Sequence, residues 1–195
     1  MRTAFTAAGV VLVLLTQPSS AARDIDAPMP GLEQVPGDVA SADLALARKL
    51  ELVRAAPVSP GQAITIAEKL HPGTKSLRIE TDVVMNELVY RVRTARDGQV
   101  WASVVSGMSG AAASEPPDSV PAQAGADERR QLAVLQAIGP GMSDAVAVAE
   151  RSTRGRAVLG ELRVEKGRLK FAVVVLAGDD LKEVVLEPPG ARLRR

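Results

Sequence analysis

The stretch GRAVLGELRVEKGRLKFAVVV, residues 155–175, reads as two strands joined at Lys166-Gly167. A two-residue loop there sets Val164 opposite Leu169 and Leu162 opposite Phe171 on one face. Glu165 then faces Arg168 and Arg163 faces Lys170 on the other, and the second, like-charged pair predicts a wetter side. The run from Phe171 to Leu176 is apolar on both faces, as a central strand requires. A lone hairpin is marginally stable, so a further element must pack on the Leu162/Phe171 face.

Working outward, related patterns recur. Ala63-Ile64-Thr65-Ile66-Ala67-Glu68 matches Ala145-Val146-Ala147-Val148-Ala149-Glu150, Gly73 matches Gly155, and Leu88-Val89-Tyr90-Arg91-Val92 matches Leu169-Lys170-Phe171-Ala172-Val173. Each copy predicts a helix (Ser41 to Arg54, Asp127 to Ile138), a Pro-Gly break (Pro60-Gly61, Pro140-Gly141) and a second helix (Gln62 to Leu70, Ser143 to Ser152, with Ser143 as N-cap). Three strands follow, with turns at Asp97-Gly98 and Gly178-Asp179 closing the second corner of each copy. The expected organisation is a signal peptide over 1–22, a flexible segment over 23–40, one unit over 41–107, a Gly/Ala/Ser/Pro-rich linker over 108–126 and a second unit over 127–191.

The chain opens with basic Arg2, an apolar run from Ala4 to Leu15 and small residues Ser20, Ala21 and Ala22, the pattern of an export signal, cleaved or retained as an anchor. The run is short of the ~20 apolar residues of an ordinary membrane span, and no later segment supplies them. The expected location is periplasmic or secreted. The chain has no cysteine, so its stability must come from its core.

With 24 basic and 23 acidic residues the charge is balanced, which argues against nucleic acid as a partner. Aromatic residues are too scarce for a base-stacking platform. His71, the single histidine, precedes Pro72-Gly73 at a helix exit with no Gly-x-Ser-x-Gly elbow in the chain, so it reads as a surface or capping residue. One histidine and no cysteine disfavour a zinc site, and Asp179-Asp180 reads as turn chemistry. No phosphate loop is present. No catalytic residue, metal or cofactor is expected.

These residues resemble the PepSY domain family of small exported units, in which a helix packs on a three-stranded antiparallel sheet. The second copy carries the likeness in Ala145 to Ala149, Gly155-Arg156-Ala157-Val158, Gly160-Glu161-Leu162, Gly167 to Val173 and the closing Val185-Leu186-Glu187-Pro188-Pro189-Gly190. The first carries it in the Ala63 helix, His71-Pro72-Gly73 and Tyr90-Arg91-Val92, while its closing Val104-Val105-Ser106-Gly107 lacks the acidic residue. The resemblance implies an α+β fold of two such units, and a non-catalytic exported binding role, including the modulation or inhibition of a peptidase partner. The alternative is an envelope sensor or accessory protein with a small apolar or peptide ligand between the units. Binding would use a sheet surface or edge strand. Tyr90, Trp101, Phe171, Arg91 and Arg93 are the partner-binding candidates, although the default reading of Trp101 and Tyr90 is core, and that of Arg91, Arg93 and Arg96 a solvated face.

Overall fold

A computed structural model describes residues 37–119 and 126–192. The expected signal peptide and most of the segment after it lie outside the described residues, although Gly37 to Ala40 belong to the first helix. The order is α1 (Gly37–Ala55), α2 (Pro60–Leu70), β1 (Lys75–Val84), β2 (Glu87–Arg96), β3 (Gln99–Ser106), β4 (Ala112–Ser114), β5 (Asp118–Ser119), α3 (Ala126–Ala137), α4 (Met142–Thr153), β6 (Arg156–Glu165), β7 (Arg168–Ala177) and β8 (Asp180–Leu186).

The hairpin forms in the expected register, Val164 against Leu169 and Leu162 against Phe171. Lys166 and Gly167 both take positive φ (50° and 71°), the geometry whose twist matches that of the flanking strands. Asp97-Gly98 repeats the device between β2 and β3. Pro60-Gly61 does not break a helix; Pro60 opens α2, where its missing N–H costs nothing. Ser59 and Gln62 exchange capping bonds of 3.2 and 2.8 Å at that end. At α4 the N-cap is Gly141 rather than Ser143, and the Asp144 carboxylate accepts the Gly141 N–H at 2.9 Å.

Two separate three-stranded units are not what forms. The strands make one continuous antiparallel sheet, seven of them in the order β4-β3-β2-β1-β6-β7-β8 and an eighth, β5, pairing β3 beside β4. The joint is the pairing of β1 with β6, in which Arg78, Ile79 and Glu80 meet Glu161, Gly160 and Leu159. The physical reason is edge satisfaction: β1 and β6 would each expose unpaired backbone groups if the units stood apart, and pairing them covers the middle of both edges. The stretch read as a linker also contributes, because Ala112–Ser114 pairs with β3.

Contacts between the halves reinforce the joint. Arg54 on α1 donates to Gly178 O and Asp179 Oδ1 at 2.8 and 2.7 Å, and Gln136 on α3 donates to Ala95 O at 2.8 Å. Arg156 on β6 donates to Val58 O at 2.6 Å. One core runs through both halves and takes Val53 from α1, Ile64 from α2, Leu135 from α3 and Val146 from α4, with Ile79, Tyr90, Phe171 and Val173 from the sheet. Small residues Ala63, Ala67, Ala145 and Ala149 on the buried faces of α2 and α4 let these helices lie close to the strands. The helices bury their residues on one side of the sheet. The other side is left for charged side chains.

Each helix-to-strand exit is clipped by a glutamate. Glu68 accepts the Ser76 N–H at 2.9 Å, and Glu150 accepts the Ala157 N–H at 2.9 Å. Ser76 and Ala157 both lie where the register slips, at the irregularities before Arg78 and Leu159, so each carboxylate takes up an amide beside a break in the ladder.

Candidate functional site

Strand alternation decides which of the five candidates can meet a partner. Tyr90 and Phe171 are 0% exposed and Trp101 is 7% exposed, all on the helix-covered face. Tyr90 donates its hydroxyl to Val58 O at 2.7 Å, and burial pushes its pKa up. Trp101 stacks on His71 with ring centroids 5.0 Å apart, and His71 Nε2 is in hydrogen-bond contact with Ser114 Oγ at 2.8 Å. Ser114 also donates to Ala102 O at 3.1 Å. The single histidine and single tryptophan therefore fasten β4 to β3. Arg91 and Arg93 point the other way, to the open face, so the five residues do not make one site.

The open face is laid out in rows of directly opposed residues. One row reads Glu161, Arg78, Arg93, Ala102 from β6 to β3, and continues to Glu115, whose N–H donates to Ala102 O at 2.9 Å. The next reads Leu159, Glu80, Arg91, Val104, Ala113. Between them lies a shallow basin of about 330 Å³, walled by Arg78, Glu80, Arg91, Arg93 and Glu115 and floored by Ala102 and Val104.

Most charges on this face are matched. Arg78 lies 2.8 Å from Glu80 and 3.1 Å from Glu161. Arg163 contacts Glu161 and lies 2.7 Å from Glu183, which raises its already high pKa through the Glu161 bond first. Lys170 lies 2.5 Å from Glu165 and Arg168 2.7 Å from Glu187, so the expected Arg163 and Lys170 clash is resolved by neighbouring carboxylates. Arg91 lies 2.9 Å from Asp82, whose pKa it holds below the ordinary value, helped by the Val83 N–H.

Arg93 has no carboxylate within ion-pair distance among the described residues, although it stands directly opposite Arg78 and two residues from Arg91. Like charges directly opposed on a sheet destabilise it. Arg93 was visible in the sequence only as one of several arginines; the cross-strand register is what separates it from Arg91. Glu115 was missed, since it sits in a stretch whose composition reads as linker and no local signal marks it as a strand neighbour.

The rest of the inventory is sparse. Among the described residues no three or more acidic, histidine or cysteine side chains gather as a metal site. Among them no helix is long and apolar enough to cross a membrane.

No known family's sequence profile matches the chain, and no curated protein does. The resemblance to PepSY domains is therefore not upheld: its glycine and apolar pattern is the common signature of antiparallel hairpins under a helix, and the continuous sheet departs from the family's separate units. The peptidase-modulating role it implied is left without that support. A solved structure that matches is a candidate lipoprotein from Clostridium difficile 630, at 14% identity over 70% of this chain and 91% of that chain, with a TM-score of 0.42. A likeness of that size carries no argument about function.

Proposed function

We propose that this is an exported, non-catalytic binding protein that holds a small anionic ligand in the basin on its open sheet face, with Arg93 as the ligand-binding residue. Export rests on the signal pattern of residues 1–22. The observation that carries the binding role is the unmatched Arg93 beside Arg78, on a face where the neighbouring cations have carboxylates. An arriving carboxylate supplies the missing counter-charge through the planar fork of guanidinium donors. Rigid strands hold the site, and the floor of Ala102 and Val104 leaves room above it.

Calorimetric titration with acetate tests this. One solvent-exposed guanidinium supports only weak binding, millimolar at best, weakened further by added salt. The Arg93→Gln protein should lose it and the Arg91→Gln protein should keep most of it. Equal binding by the wild type and Arg93→Gln would remove the proposal.

A further inference from the structure

Building on that reading, we infer that the ligand is a small zwitterion of amino-acid size, its carboxylate on Arg93 and its ammonium on Glu115. Arg93 and Glu115 belong to the same row of the open face and flank Ala102, one from β2 and the other from the continuation of β4. Neighbouring strands lie ~4.8 Å apart, so the two backbones stand about 10 Å from each other across a residue with a single methyl group. The opening between the charged side chains is one small residue wide. Arg93 and Glu115 are not themselves an ion pair, and Glu115 has no cationic partner among the described residues.

The remaining wall charges are occupied. Glu80 is held by Arg78, and Arg91 by Asp82. The two residues left with unmet charge thus have opposite signs and face one cavity. A plain anion would satisfy Arg93 and place a second negative charge near Glu115; a zwitterion satisfies both. Val104 and Ala113, the next residues on this side of β3 and β4, give an apolar shelf for an aliphatic side chain.

The position of Glu115 is built in. Ser114 precedes it, and the bonds of Ser114 to His71 and to Ala102 O, with a further contact to Ser103 Oγ at 3.3 Å, hold the end of β4 against β3. That anchoring gives half-buried His71 and buried Ser103 a part in the site.

Calorimetry with L-valine and isovalerate tests the inference, because isovalerate keeps the aliphatic group and carboxylate and lacks the ammonium. The wild type should bind L-valine about threefold or more tighter, the size of one exposed charge pair. Glu115→Gln should erase that preference while keeping isovalerate, and Arg93→Gln should lose both. Equal affinities in the wild type, or a preference that survives in Glu115→Gln, overturn the zwitterion and leave the anion site standing. Failure of both ligands to bind the wild type overturns the anion site as well.

Discussion

Arg78 and Arg93 stand directly opposite one another on β1 and β2, and only Arg78 is held by carboxylates, Glu80 at 2.8 Å and Glu161 at 3.1 Å. Because β6 supplies Glu161, the joint between the halves of the sheet quenches one arginine and leaves the other for a ligand. A site that keeps an uncompensated charge sacrifices stability for binding.

Removing that charge should therefore stabilise the ligand-free protein. Arg93→Gln is expected to raise stability in urea by about 0.5 kcal/mol at low salt, with the gain shrinking as salt screens the pair. Parallel urea titrations at low and high ionic strength check both the sign and the salt dependence.

The joint has a steric requirement at Gly160. A Cβ added there would lie 3.0 Å from Met142 Sδ and 3.1 Å from Ile79 Cγ2, so the residue opposite Ile79 must be small for α4 to cover the seam. Gly160→Val should cost about 1–3 kcal/mol by overpacking. The Met142→Ala background should restore part of that loss, and thermal unfolding of the single and double variants measures it.

Glu150 serves the amide of Ala157, which is 1% exposed and lies beside the break in register. Truncation to alanine leaves that N–H without its acceptor, at a cost of about 1–3 kcal/mol. Glu150→Gln keeps an acceptor oxygen and should lose less. Chemical denaturation of the two variants separates loss of the bond from loss of charge.

Acid sensitivity should trace in part to Asp82. The Arg91 hydrogen bond, and then the Val83 N–H, depress its folded pKa below the ordinary 3.8. A depressed carboxylate contributes stability that is complete above the unfolded pKa and is lost as pH falls through the folded one. The wild type should thus lose stability below about pH 4, and Asp82→Asn should show a shallower fall over that window, followed by urea midpoints across pH.

Local chemistry was legible in the sequence where a turn determined it. Lys166-Gly167 specified its loop, and with it the Leu162 and Phe171 pairing, because a two-residue turn leaves one register. The joining of β1 to β6 was not legible, because it rests on Arg78, Ile79 and Glu80 pairing across more than half the described chain with no turn between them. Alternation placed Tyr90 and Arg91 on opposite faces, yet which face the helices cover was settled by packing. Arg93 and Arg91 are indistinguishable in sequence; Asp82 reaches one and not the other. Glu115 joins the site through a backbone bond that almost any residue could make, so composition could not reveal it.

In the proposed site Arg93, rather than its neighbours, receives the ligand's carboxylate. The most direct measurement follows the arginine side-chain Nε–Hε signals by NMR during titration with isovalerate, with Arg93 assigned by loss of its signal in Arg93→Gln. A saturating shift of the Arg93 signal is expected, with Arg78 and Arg91, already bound to carboxylates, moving little. A saturating shift at Arg91 or Arg78 with Arg93 unmoved, or no saturable shift at any arginine, would contradict it.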